Sequence, residues 1–216
     1  MMNETCGKNP GTETDSRPGV IVVGGTGYVG AALCQFLSDR GHQVTAASRS
    51  ALPMIDDLDI AHVRFDVMAP SANVLPPEVS VAVICPWVHL AQGPTVVPWV
   101  DRVMPMLVDS GTRTVIYLST MWVYGDSPVG LLTESMQHLP TSAYGMTHAD
   151  NELSVRVGAT SLGADVSILR MANLVGPDPF FRFRQKTAFA HELMEMAVWN
   201  RRIVLRSPPS TPRNML

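Results

Sequence analysis

Three glycines stand at a spacing that can hold a phosphate. Gly24, Gly27 and Gly30 follow the β-branched run Val20-Ile-Val-Val23 and precede the apolar stripe Ala31, Leu33, Phe36 and Leu37. That order reads as a buried strand, a tight turn and an amphipathic helix. In such a turn the first glycine permits the bend, the second lets a pyrophosphate reach the backbone, and the third lets the helix lie close on the sheet. The phosphate then meets the N–H groups and the positive end of the helix. Gly24, Thr26, Gly27, Tyr28, Val29 and Gly30 are the candidate cofactor-binding residues of this turn. A glycine pattern alone is weak, but one placed between a strand and a helix, with a second strand following, is specific.

The next turn decides which dinucleotide is expected. A NAD site wants Asp or Glu about 20 residues on, to hold the ribose 2′-hydroxyl. The corresponding stretch reads Ala46-Ala47-Ser48-Arg49-Ser50 and holds no carboxylate. A guanidinium at Arg49 suits a 2′-phosphate, so Ser48 and Arg49 favour NADP(H), with NAD(H) possible. The bland alternative is that Arg49 is a solvated loop charge. Asp66 and Val67, at the end of the third strand, are placed to meet the adenine.

Other chemistries find little support. His89, His138, His148 and His191 lack metal-ligand spacing, so no metal is expected. Ser119 and Ser142 have no Ser-His-Asp context. Glu134 and Glu152 are lone carboxylates, and Glu152 reads most simply as a helix-surface charge. The thirteen methionines lie in apolar stretches and read as core.

The elements that must position these residues alternate. Strands are expected over Val20–Val23, Val44–Ser48, His62–Val67, Val79–Cys85, Thr114–Leu118 and Asp165–Arg170. Helices are expected from the glycine turn to near Gly41, from Pro98 to Asp109, from Ser142 to about Val157 with Gly158 ending it, and from Thr187 to Trp199. Pro105 should kink or shorten the second of these. The alternation predicts an α/β fold, a doubly wound parallel sheet of the NAD(P)-binding Rossmann type with helices on both faces. Residues 1–18 read as a loose polar tail, and 19–178 as the dinucleotide-binding domain.

Composition excludes several classes. In 216 residues, 46% are hydrophobic and 16% charged, against a typical charged share of about 25%. A chain of that kind folds rather than staying solvated. The net charge of −3 argues against a nucleic-acid partner, which needs clustered cations. Cys6, Cys34 and Cys85 form no CxxC pair, so a disulfide framework is not expected and a reducing cytoplasm is. The longest apolar stretch, Val79 to Ala91, is broken by Pro86 and His89 and falls short of the roughly 20 residues a membrane helix needs. The N-terminus lacks the apolar core of a signal peptide.

Four segments in order resemble the extended short-chain dehydrogenase/reductase superfamily, the nucleotide-sugar epimerases, dehydratases and ketoreductases. They are the glycine turn, Ile116-Tyr-Leu-Ser119-Thr120-Met-Trp-Val-Tyr124-Gly125-Asp126, Tyr144, and Ile168-Leu-Arg170-Met-Ala-Asn173-Leu-Val-Gly176-Pro177. The likeness runs from about Val20 to Pro177. It implies hydride transfer on a nucleotide-activated sugar or deoxysugar, with Tyr144 exchanging the hydroxyl proton and Thr120 holding the substrate oxygen. Asn173 matches a position that often touches the substrate diphosphate. Homodimers through the helices beside the tyrosine are common in the family.

Two departures bear on activity. The family's lysine, four residues after the tyrosine, is His148 here. The spacing keeps both side chains on one helix face, but neutral imidazole depresses a phenol's pKa less than an ammonium does. His148 is then either a ribose donor or proton relay, or a surface histidine on a helix that does no chemistry. The family also continues for about another hundred residues to build a substrate lobe, so 179–216 would be a remnant of one, with the lobe rudimentary or missing. Pro86-Trp87-Val-His89-Leu-Ala91 is a loose version of the family's His-x-Ala-Ala. Phe180-Phe-Arg-Phe-Arg-Gln-Lys186 is placed either to touch a nucleotide diphosphate or to cover the core. The resemblance favours a keto-sugar reductase. The alternative is a catalytically impaired dinucleotide-binding regulatory or scaffold module.

Overall fold

The computed structural model describes residues 17–51, 60–71, 74–85, 99–125, 130–176 and 189–199. The tail before residue 17, the loop holding Pro53, Asp56, Asp57 and Asp59, the Pro86–Ala91 segment, Pro98, Asp126, Pro177, the Phe180–Lys186 segment and the chain beyond 199 lie outside the described residues.

Six parallel strands, β1 (Gly19–Val23), β2 (Val44–Ser48), β3 (Ala61–Arg64), β4 (Val79–Ile84), β5 (Thr114–Thr120) and β6 (Asp165–Met171), form one sheet in the order β3-β2-β1-β4-β5-β6. Helices α1 (Tyr28–Ser38), α2 (Val100–Asp109), α3 (Ala143–Ser161) and α4 (Phe189–Val198) complete the described elements, with a 3-10 turn over Met121–Tyr124. The strand order reverses between β1 and β4, which makes this the doubly wound fold expected.

Burial on both sheet faces explains the continuous β-branched runs. On β1, Ile21 and Val23 pack with Val103, Met104, Leu107, Val155 and Ala159 of α2 and α3. Val20 and Val22 face the other way, toward Ala31 and Cys34 of α1.

Several boundaries differ from expectation. α3 does not stop at Gly158 but runs on to Ser161. The reason is packing: a Cβ on Gly158 would lie 3.1 Å from Met104 Cγ, so the glycine lets α2 approach, and tertiary contact overrides its low helix propensity. α2 continues through Pro105 to Asp109. β3 ends at Arg64 because Asp66 folds the chain away, its carboxylate accepting from Met68 N at 3.0 Å. β5 and β6 run further, to Thr120 and Met171, and their register pairs Ser119 with Arg170 and Thr120 with Met171. Among the described residues no helix is long and apolar enough to cross a membrane.

A fourth glycine proves as constrained as the predicted three. A Cβ on Gly25 would lie 2.8 Å from Ala46 Cα, Ala46 Cβ and Val22 O. No flexible side-chain end can yield there. Gly25→Ala is therefore expected to lower stability by about 1–3 kcal/mol through overpacking, read as a lower urea midpoint at unchanged slope.

Candidate active site

In a parallel sheet of this order the ligand crevice lies at the carboxyl ends of the strands, where the order reverses. β1 ends there in the glycine turn. Gly24 has φ +84°, a left-handed conformation that suits glycine, and its carbonyl accepts from Gly27 N at 2.8 Å. A Cβ on Gly27 would lie 3.1 Å from that carbonyl oxygen, and one on Gly30 would overlap it. Gly27 caps α1 with no side chain, and the first turn of α1 holds no carboxylate. The helix end is thus positive and open above Gly27, which is exposed. This cradle fits a pyrophosphate. Thr26, Tyr28 and Val29 are half-buried around it. The Tyr28 hydroxyl donates to Gly176 O at 2.7 Å, tying the turn to the segment after β6.

At the end of β2 the Ser48 hydroxyl is already engaged. It donates to Ser50 O at 2.9 Å and lies 2.9 Å from His62 Nε2. Arg49 follows it and is exposed. Arg64, also exposed, stands in register with Ser48 on β3. Two exposed arginines therefore stand at this end of β2 and β3, where the sequence singled out one. Val67, which follows Asp66, packs against the core cluster. Asp66 is half-buried.

β5 delivers Thr120, and α3 delivers Tyr144 and His148. The Thr120 side chain is buried and accepts from Trp122 N at 3.4 Å, starting the 3-10 turn. α3 begins against that turn because Gly145 allows it: a Cβ there would lie 2.5 Å from Trp122 O. Ser142 caps the helix, accepting from Gly145 N at 3.1 Å. This docking sets the Tyr144 phenol beside the Thr120 hydroxyl, which hydrogen-bonds it. Burial raises the phenol's pKa, the Thr120 hydrogen bond lowers it, and the net shift is upward. The rings of Tyr144 and His148 meet edge-to-face at 4.6 Å, as the spacing predicts.

His148 is half-buried, not the surface histidine of the alternative reading. Burial pushes its pKa down to about 4, against the smaller upward pull of the Glu152 charge. Its Nδ1 lies 2.9 Å from the Tyr117 hydroxyl, to which Asn151 Nδ2 donates at 3.3 Å. Asn173 is exposed just beyond β6.

The largest correction is Glu152. It is no surface charge: it is 3% exposed. The Ser119 hydroxyl donates to it at 2.5 Å. Arg170 grips both oxygens, Nε at 3.1 and 3.2 Å and Nη2 at 2.8 Å. The same guanidinium donates to Tyr124 Oη at 2.6 Å, to Glu134 O at 3.2 Å and to His138 Nε2 at 2.6 Å. Tyr124 in turn donates to Thr133 O at 3.0 Å. The signal was present in the sequence. Glu152, Val155 and Ala159 recur at helical spacing and all are buried, so the carboxylate lies in phase with a core stripe.

A Rossmann fold with a glycine cradle, and a Thr120–Tyr144 pair at the same sheet edge, defines a class of dinucleotide-dependent protein. Residues 20–77 and 95–205 match the NAD dependent epimerase/dehydratase family, and the chain belongs to it. A UDP-glucose 4-epimerase of Corynebacterium glutamicum is 28% identical over 173 residues, 73% of this chain and 51% of that protein. The chain thus spans about half the length of this relative. Among solved structures, MoeE5 in complex with UDP-glucuronic acid and NAD has a TM-score of 0.67 at 25% identity, covering 82% of this chain and 60% of that one. A UDP-N-acetylglucosamine 4-epimerase from Methanobrevibacter ruminantium M1 shares the fold, with a TM-score of 0.77 at 20% identity over 93% of this chain and 69% of that one.

Removing one partner of a buried pair strands the other. Glu152→Ala is expected to cost about 3–5 kcal/mol, measured by urea denaturation at pH 7. Burial alone would raise the Glu152 pKa, but hydrogen bonds from Arg170 and Ser119 outweigh it and hold it below its ordinary 4.5. Its contribution is therefore full above that value and fades as pH falls through the lower, folded one. The gap between parent and Glu152→Gln should narrow under acid, as the parent's carboxyl takes up its proton.

Proposed function

We propose that the chain is an NADP(H)-dependent oxidoreductase acting on a nucleotide-activated sugar, and that its reaction is the reduction of a keto sugar. The observation that carries this is the Thr120 hydroxyl bonded to the Tyr144 phenol on the sheet edge that the glycine cradle opens. Relatives that act on UDP-sugars and a neighbour holding NAD and UDP-glucuronic acid support the substrate class.

Each residue then has a task. Gly24, Gly27 and Gly30 admit the pyrophosphate, and Arg49 meets a ribose 2′-phosphate, with Arg64 beside it. A bound reduced dinucleotide supplies the hydride. Thr120 holds the sugar's carbonyl oxygen, and Tyr144 gives that oxygen its proton. His148 donates to the nicotinamide ribose, and Asn173 touches the substrate diphosphate. Without a lysine next to it, and with burial raising its pKa, Tyr144 stays a phenol at neutral pH. That favours giving a proton over taking one, hence reduction over epimerisation, which must begin with oxidation.

Leu153 and Val157 of α3 are 65% and 60% exposed and flank a groove between α2 and α3. An apolar patch of this kind supports a homodimer through these helices. Cys34 and Cys85 are free thiols, which suits a reducing cytoplasm. The uncharged His148 favours, as second reading, a module that binds dinucleotide without turnover.

NADPH is expected to bind more tightly than NADH by tenfold or more, the size of a charge-assisted hydrogen bond of about 1.5–3 kcal/mol. Calorimetric titration of both cofactors measures it, and Arg49→Ala should erase the difference. Tyr144→Phe should lower turnover of a keto-sugar nucleotide by about 10²–10⁴-fold with NADPH affinity kept. Turnover equal to the parent's removes Tyr144 from the chemistry. NADPH binding with no turnover of any keto-sugar nucleotide selects the second reading.

A further inference from the structure

Asn151, Tyr117 and His148 form a line of side chains to which the reaction above assigns only one task. Tyr117 is 1% exposed on β5, on the strand face it shares with Val115 and Ser119. Asn151 is 6% exposed on α3. Among the described residues the Tyr117 oxygen has two polar partners, Asn151 Nδ2 at 3.3 Å and His148 Nδ1 at 2.9 Å.

The hydrogens can be assigned by counting. An amide nitrogen only donates, so Asn151 gives a hydrogen to the Tyr117 oxygen. Tyr117 has one hydroxyl hydrogen to give. If His148 carried a proton on Nδ1, the phenol would receive two hydrogens and its own would be left buried without an acceptor. Such an orphan costs about 1–3 kcal/mol. The Tyr117 hydrogen therefore goes to His148 Nδ1, which must present a lone pair, and the imidazole keeps its proton on Nε2.

We propose that Tyr117 and Asn151 are positioning residues that hold His148 as the neutral Nε2–H tautomer, an uncharged donor standing where the family places an ammonium. The role toward the nicotinamide ribose rests on the function proposed above; the tautomer does not. The groups facing His148 agree. From β5 comes the uncharged Tyr117. From α3 come the ring of Tyr144 and the carboxylate of Glu152, whose charge Arg170 of β6 already meets. Nothing in that shell supplies a reason for an imidazolium that outweighs burial.

The consequence is directional. A fixed cation stabilises phenolate and so assists removal of a proton from an alcohol. An uncharged donor leaves Tyr144 a phenol, ready to protonate a carbonyl oxygen as hydride from the reduced nicotinamide reaches the carbonyl carbon. A bound reduced dinucleotide would supply the two electrons and be oxidised, the carbonyl would become an alcohol, and solvent would return the proton to Tyr144. The reverse reaction must wait for phenolate, so alcohol oxidation should climb with pH while reduction stays level between about pH 6 and 9.

The test is nitrogen-detected NMR of the protein labelled with ¹⁵N-histidine, without dinucleotide, the His148 signal being assigned by its loss in His148→Gln. The parent should show the neutral Nε2–H pattern from pH 8 down to about pH 5. Tyr117→Phe removes only the hydroxyl, and should bring a mixture of tautomers and a midpoint closer to 6.5, the ordinary value. Asn151→Asp offers an acceptor in place of a donor. It should turn the Tyr117 hydrogen away from His148 and switch the ring to a proton on Nδ1. An Nδ1–H or imidazolium signal from the parent at pH 7, or a spectrum that Asn151→Asp does not change, overturns the proposal. Because this reading needs no ligand, a failure to bind NADPH would sink the function proposed above while leaving the tautomer standing, and the converse result would separate them the other way.

Discussion

Burying the Glu152 carboxylate obliges the structure to neutralise it, and the groups that do so come from across the chain. Removing an ion from water costs several kcal/mol even after relaxation. Here Ser119 of β5 and Arg170 of β6 supply the hydrogen bonds. Arg170 then has donors left over, and it spends them on Tyr124, on the Glu134 carbonyl and on His138. One buried charge thereby fixes α3 against two strands and gathers the 130–140 segment over them. The same helix carries Tyr144 and His148, and the same strand carries Thr120 one residue past Ser119. The geometry of the candidate site is downstream of this ion pair.

The cofactor side of the crevice is built by the opposite means. Around Gly24 it is absent side chains that set the distances. Gly25, Gly27 and Gly30 each leave room that a Cβ would fill, against Ala46, against the Gly24 carbonyl and against that same carbonyl again. Tyr28 joins the two sides through Gly176. A site of this design has a backbone wall that bulk cannot be added to and a polar wall that charge cannot be removed from.

Those two designs were not equally legible. The glycine turn could be read because its constraint is local: a strand, a bend and a helix lie consecutively, and the residue type at each step follows from neighbours in sequence. The central strands could be read for the same reason, since β1, β2 and β4 are buried on both faces, whereas β3 and β6 at the sheet's edges are partly exposed. The buried ion pair depends instead on a register 18 residues apart, Glu152 with Arg170, and a lone carboxylate on a helix is usually solvated. Only its phase with Val155 and Ala159 gave it away. Tyr117 hid differently, as one more apolar residue of a core strand. Its hydroxyl needs a partner when buried, and that need was the readable signal. Gly158 was misassigned as a helix end because contact with Met104, from a distant element, overrode local expectation.

How charge is distributed then bears on what the site can do. The anion Glu152 is matched by Arg170, and the Tyr144 phenol is shifted by burial and a hydrogen bond, not by a charge. His148, half-buried and neutral, adds no net charge of its own. What acts on the Tyr144 phenol, still 40% exposed, is therefore partial desolvation and one hydrogen bond from Thr120. Burial disfavours the phenolate, and a single neutral hydrogen bond is too weak to reverse that. General acids work best when their proton is still present at the operating pH. On the proposed function, a tyrosine without a neighbouring cation is a poor base and a serviceable acid, suited to protonate an oxygen on which negative charge is developing.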